Sequence, residues 1–212
     1  LGALTHEAAV AGFSEEIRGL KAGGADVAWI ETMSAPEEVH AAATAAIQEG
    51  MPYVVTCSFD TAGRTMMGLM PGNFDAIFDA EPQAPLAIGA NCGVGASDIL
   101  VTILEMGQST KALVSKGNCG VPQFQGTEVV YSGTPELMGK YAAMAVDAGA
   151  RIIGGCCGTT PEHLASMRAA LDAHPIAGER PTIDTIIAEI GPLTNSAPTE
   201  VSGERRSRRS RG

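Results

Sequence analysis

Five short apolar runs, each ending in a polar cluster and each followed by a longer stretch of mixed polarity, organise this chain. The runs at residues 27–30, 53–59, 87–91, 112–116 and 152–155 are rich in β-branched and small apolar side chains and predict buried strands. Between and after them, residues 36–49, 72–79, 97–106, 134–148 and 160–173 predict helices, the second of these short. A lone helical stretch, 5–22, comes first. Start signals support the assignment. Ser97 is placed to cap the third helix. Thr134 and Thr160 each precede Pro and Glu, an opening that satisfies free backbone donors and suits the helix dipole. Strand and helix alternate with no hairpin signal, which predicts an α/β fold with a parallel sheet and crossover helices. The periodicity fades after residue 173. The reading is therefore a body over 1–175 and a C-terminal extension over 176–212, with a short helix at 183–190 and an Arg-rich disordered tail.

Composition narrows the function. The chain has 212 residues, 45% of them hydrophobic and 4% aromatic, and a net charge of −10. Five Arg and a single Glu lie in residues 203–212, so the body is more acidic than the total. An acidic body argues against nucleic acid, whose phosphates need clustered Lys and Arg. The tail reads as a solvated terminus. No stretch has the roughly 20 apolar residues that span a bilayer, and the first thirty residues lack a basic-then-apolar start, so neither a membrane nor a secretory signal is expected. A cytoplasmic location follows. No dinucleotide fingerprint or P-loop follows any predicted strand.

The cysteines carry the chemistry. In parallel α/β folds ligands bind where strands end, and Cys92, Cys119, Cys156 and Cys157 all lie at such ends. Cys156 and Cys157 are adjacent within GGCCG. Neighbours on a strand point to opposite faces, so two thiols reach one ion only if the chain leaves strand geometry there, which flanking glycines permit. With Cys92 from another strand they make a three-thiolate set with one open position, the pattern of a catalytic Zn²⁺ site. Two other readings stand beside it: buried small hydrophobes and a vicinal redox pair. Cys57 reads as core and Cys119 as a weaker fourth ligand. His6, His40, His163 and His174 read as surface or helix-packing residues. Trp29, Tyr53 and Phe59 read as core rather than as an aromatic cage for a methylated ammonium.

GANCG at 89–93, KGNCGVP at 116–122 and GGCCGTTPEH at 154–163 resemble the homocysteine S-methyltransferase family, in order along residues 5–173. The resemblance implies a zinc-dependent (β/α)₈ TIM barrel whose ligands here are Cys92, Cys156 and Cys157. It implies that Glu31, in the segment IET, binds the amino group of homocysteine. SFDTAGRTMMG resembles the betaine-using subgroup, so the implied reaction moves a methyl group from betaine to homocysteine, giving methionine. S-methylmethionine or methylcobalamin as donor is the alternative, as is a non-catalytic zinc or redox protein. The partners implied are homocysteine and a small methyl donor, with a homo-oligomer left open. The family's opening strand and two further units have no counterpart before residue 27, and Cys119 stands where the family usually has Ala. The chain begins at Leu1, so an N-terminally truncated barrel of about five β/α units is expected, whose open edges would favour aggregation or leave it unable to fold alone.

Overall fold

The structure is a computed structural model that describes residues 4–175 and 178–194; the Arg-rich segment lies outside them. Helix α1 (His6–Ala22) is capped by Thr5, whose hydroxyl accepts from the Ala8 N–H. There follow β1 (Ala28–Met33), α2 (Pro36–Gln48), β2 (Tyr53–Cys57), β3 (Ala87–Cys92), α3 (Ala96–Glu105) and β4 (Ala112–Gly117). Strands β5 (Pro122–Gln125) and β6 (Glu128–Tyr131) come next, then α4 (Pro135–Ala148), β7 (Ala150–Gly155), α5 (Pro161–Ala173) and α6 (Ile183–Glu189). Five strands form one parallel sheet in the order β1-β2-β3-β4-β7.

That order runs in one direction only, with each new strand added to the same edge. Right-handed crossovers then place every connecting helix on the same face, which is barrel-type winding and not the doubly wound kind. The packing agrees. Outward residues such as Val55, Ile88 and Leu113 join Val39 and Ala42 of α2, Leu100 and Ile103 of α3 and Met138 and Ala145 of α4 in the main core. Five buried alanines on α2 let that helix lie close to its neighbours. On the opposite, concave face Val54, Ala87 and Val114 form a smaller cluster with Val27, Trp29, Ala112 and Ile152. Among the described residues β1 and β7 each pair on one side only, as expected of an incomplete barrel.

Several sequence expectations need correction. Residues 72–79 hold no α-helix; two single 3₁₀ turns, Pro71–Asn73 and Ala76–Phe78, stand there, and Phe74 and Phe78 plug the core from them. Ser97 does not cap α3. The helix starts a residue earlier after Gly95, and the Ser97 hydroxyl donates instead to the Gly191 carbonyl at 2.8 Å. That bond, with Thr194 donating to Asp98 and Arg180 to the Leu104 carbonyl, ties the segment around α6 onto α3. An antiparallel hairpin, β5–β6, interrupts the β4-to-α4 connection where no hairpin was expected. Its two-residue loop opens on Gly126 at φ 66°, a position that hairpin loops of this length favour for glycine.

Tyr141 on α4 fixes that helix to the tip of β4. Its hydroxyl is fully buried, lies 2.6 Å from Ser115 Oγ and accepts the Gly117 N–H at 2.9 Å. Burial is the largest influence on this phenol and pushes its pKa well above the usual range. Tyr141→Phe should leave a buried N–H without a partner and destabilise the chain by about 1–3 kcal/mol. Urea unfolding checks this: the midpoint should fall with an unchanged slope.

Candidate metal centre

The centre is built at the carboxyl ends of β3, β4 and β7. Cys92 is the last residue of β3 and adopts φ 60°, a left-handed conformation that a side chain resists; Gly93 follows at φ 70°. Two left-handed residues in succession turn the chain back across the strand tip. At the other strand, β7 ends at Gly155 and the chain turns at Cys156–Cys157, with Gly158 at φ 78° and the ring of Tyr131 against it. The departure from strand geometry at this pair is the one expected from its flanking glycines.

Those two turns bring three sulfurs together. Cys92 Sγ and Cys157 Sγ are 3.9 Å apart, Cys156 Sγ and Cys157 Sγ are 3.9 Å apart, and all three lie within 4.8 Å of one another. Thiolates at about 2.3 Å from a tetrahedral zinc sit roughly 3.8 Å apart, so the donor set fits such an ion in number, chemistry and spacing. All five cysteines are free thiols. Burial, then the neighbouring Cys156 and Cys157, pushes Cys92 up to about 11, so without a cation Cys92 keeps its proton at neutral pH.

Buried asparagines brace the cluster. Asn91, fully buried, accepts from the Thr32 N–H at 2.9 Å and the Thr56 hydroxyl at 2.7 Å, and donates to Thr32 Oγ1 at 2.7 Å. Its amide also faces Cys156 Sγ at 4.0 Å. Thr32 meets it from φ 66°, at a register shift in the β1–β2 ladder. Asn118, just past β4, donates to the Gly93 carbonyl at 2.9 Å and accepts from the Cys157 N–H at 3.0 Å. Neither asparagine was singled out from sequence, although each stands directly before a cysteine in a strand-end motif.

Glu31 lies on the concave face of β1. Its carboxylate accepts from Lys116 Nζ at 2.5 Å and from the Trp29 indole at 3.1 Å, and the Lys116 ammonium stands 5.3 Å from the Trp29 ring centre. Lys116 pairs in register with Asn91 and Gly154, so the charged pair shares the sheet tip with the cysteine-bearing strands. Trp29 thus belongs to the concave face, whereas Tyr53 and Phe59 are core as expected.

Cys119 does not join the cluster. It is 1% exposed and its sulfur faces the Gly133 carbonyl at 3.3 Å, where the chain turns at Gly120 (φ 82°). Its contribution is backbone: the Cys119 N–H donates to the Cys157 carbonyl. Cys57 is core, and burial pushes it up to about 12. His163 closes a capping box with Thr160, while His174 and His40 pair with Asp147 and Glu81. Tyr131, on the unexpected hairpin, lies against Cys157; burial, then a hydrogen bond with that thiol, raises its pKa.

Comparison with known proteins places the chain. The homocysteine S-methyltransferase family profile matches residues 1–171, and the chain belongs to that family. Among solved structures it resembles the homocysteine methyltransferase MmuM from Escherichia coli. The apo form is 23% identical with a TM-score of 0.66, over 80% of this chain and 58% of that one. The oxidized and metallated forms are each 24% identical, with TM-scores of 0.61 and 0.60 over 76% of this chain and 52% and 51% of theirs. The chain thus spans between half and three-fifths of the length of these relatives. No helix among the described residues is long and apolar enough to cross a membrane.

The geometry separates two cysteines that composition treats alike. Cys119→Ala should leave metal uptake by the protein unchanged, whereas Cys92→Ala should reduce it at least tenfold; metal titration with a competing chelator checks both. Equal losses would bring Cys119 into the ligand set.

Proposed function

We propose that Cys92, Cys156 and Cys157 hold a zinc ion and that the protein transfers a methyl group to the sulfur of homocysteine, giving methionine. The observation that carries this reading is the 3.9 Å spacing of sulfurs drawn from two separate strands, within a chain of this family. When bound, zinc supplies a Lewis acid that favours the ionised form of a substrate thiol, which is a weak nucleophile as the free acid.

The chain's own residues do the rest. Glu31 pairs with the substrate ammonium, and Lys116 beside it offers a cation to the carboxylate, so the two match both charges of an amino-acid zwitterion. Orientation of the sulfur toward the methyl donor contributes more than proton transfer, because methyl transfer moves no proton at the carbon. Betaine is the donor proposed, on the segment SFDTAGRTMMG, with S-methylmethionine the second reading. MmuM is described as a homocysteine methyltransferase, and one of its structures as metallated, which supports both parts of the proposal.

Cys156→Ala or Cys157→Ala in the protein should abolish zinc retention and methyl transfer together; full zinc stoichiometry in either variant would refute the assignment. Glu31→Gln should raise the homocysteine KM at least tenfold with metal content unchanged, and an unmoved KM removes Glu31 from the site. Cys92 would have to give up its proton to serve as a ligand, and burial pushes that thiol up to about 11, so apparent zinc affinity should climb between about pH 6 and about pH 9. Competition titrations at several pH values read this directly. Parallel assays with betaine and S-methylmethionine decide the donor.

A further inference from the structure

The cysteine-bearing strands β3 and β7 are not neighbours, because β4 lies between them. Two strand spacings separate their backbones, about 10 Å in the sheet, so the tips must lean over the end of β4 for the sulfurs to meet. Something at that end has to hold them. Gly117, which pairs with Cys92 on one side and Gly155 on the other, has no side chain to do so. Its carbonyl accepts the Cys156 N–H, which secures only the β7 side.

We infer that Asn118 is the positioning residue of the three-sulfur centre, its one carboxamide tying the Cys92 turn to the Cys156–Cys157 turn and setting the sulfur spacing that a metal meets. The inference rests on the zinc reading above and deepens it. Asn118 is 2% exposed, and both ends of its amide are used across β4: the nitrogen donates to the Gly93 carbonyl and the oxygen accepts from the Cys157 N–H. The bonds span 25 and 39 residues of sequence, so they join separate elements and do not shape a local turn. Only a side chain with a donor and an acceptor on one short arm meets these demands. Asp lacks the donor and places a negative charge beside the three sulfurs; Leu lacks both groups. Bonding one residue out from the ligands governs metal affinity because it fixes the ligands before the ion arrives.

The test compares wild type with Asn118→Asp and Asn118→Ala, using Thr182→Ala, which loses the α6 cap beside Asp147 at the far end of α4, as a stability control. Zinc affinity is measured by chelator competition, and cobalt substitution reports the geometry of the sulfur set through its visible absorption. Both Asn118 variants should bind zinc about 10–100-fold more weakly, with a shifted cobalt spectrum. Thr182→Ala should lose stability and keep both readouts. Wild-type affinity and spectrum in a folded Asn118→Asp, with only its unfolding midpoint lowered, would show a merely structural residue and overturn the inference while leaving the zinc assignment standing. If Asn118→Ala does not fold, the near-isosteric Asp variant decides. On wild type, the Asn118 side-chain amide protons should exchange slowly with solvent, and fast exchange would overturn the inference independently of either variant. Failure of wild type itself to take up zinc would instead overturn the functional proposal.

Discussion

Three thiols held within 4.8 Å of one another, on strands that do not touch, are the constraint around which the rest of this structure is arranged. Such a cluster is unfavourable by itself: the sulfurs crowd, desolvation disfavours ionisation of Cys92, and that residue sits in a backbone conformation that non-glycine residues avoid. The surroundings over-determine it. Buried carboxamides bond across the strand tips, glycines follow Cys92 and Cys157 where the chain reverses, and Tyr141 holds the end of β4 from the helix side.

The winding of the sheet makes this arrangement accessible. With strands in sequential order and helices on one face, the other face curves into a concave surface where Trp29, Glu31 and Lys116 lie together. A doubly wound sheet would cover that face with helices. The charged pair and the sulfur cluster both occupy the end of the sheet where strand carboxyl termini emerge, the end at which barrel enzymes place their chemistry.

Much of this was legible from residues alone. Strand positions followed from short β-branched runs, two helices from their Thr-Pro-Glu openings and others from periodicity, and the cysteine set from its position at strand ends in glycine-flanked motifs. The misreadings have local causes. Residues 72–79 carry apolar spacing that suits a short helix, but Phe74 and Phe78 reach the core from successive 3₁₀ turns. The hairpin was missed because its strands are only four residues each, and its one signal, Gly126, is a single glycine among many. Cys119, read only as a weaker fourth ligand beside the set of three, is buried with its sulfur on the Gly133 carbonyl.

The linear chain determined most element types, the acidic body, the cysteines at strand ends and the family, because these depend on residue identity and on spacing within a few turns of backbone. The approach of Cys92 to Cys157 across β4, the rejection of Cys119, the pairing of Glu31 with Lys116 and the bridging by Asn118 were decided only by tertiary structure. Each depends on strand order and side-chain direction at a sheet tip, where a left-handed residue or a register shift redirects a side chain. No spacing rule along the chain encodes that direction, since it arises from elements tens of residues apart packing against one another.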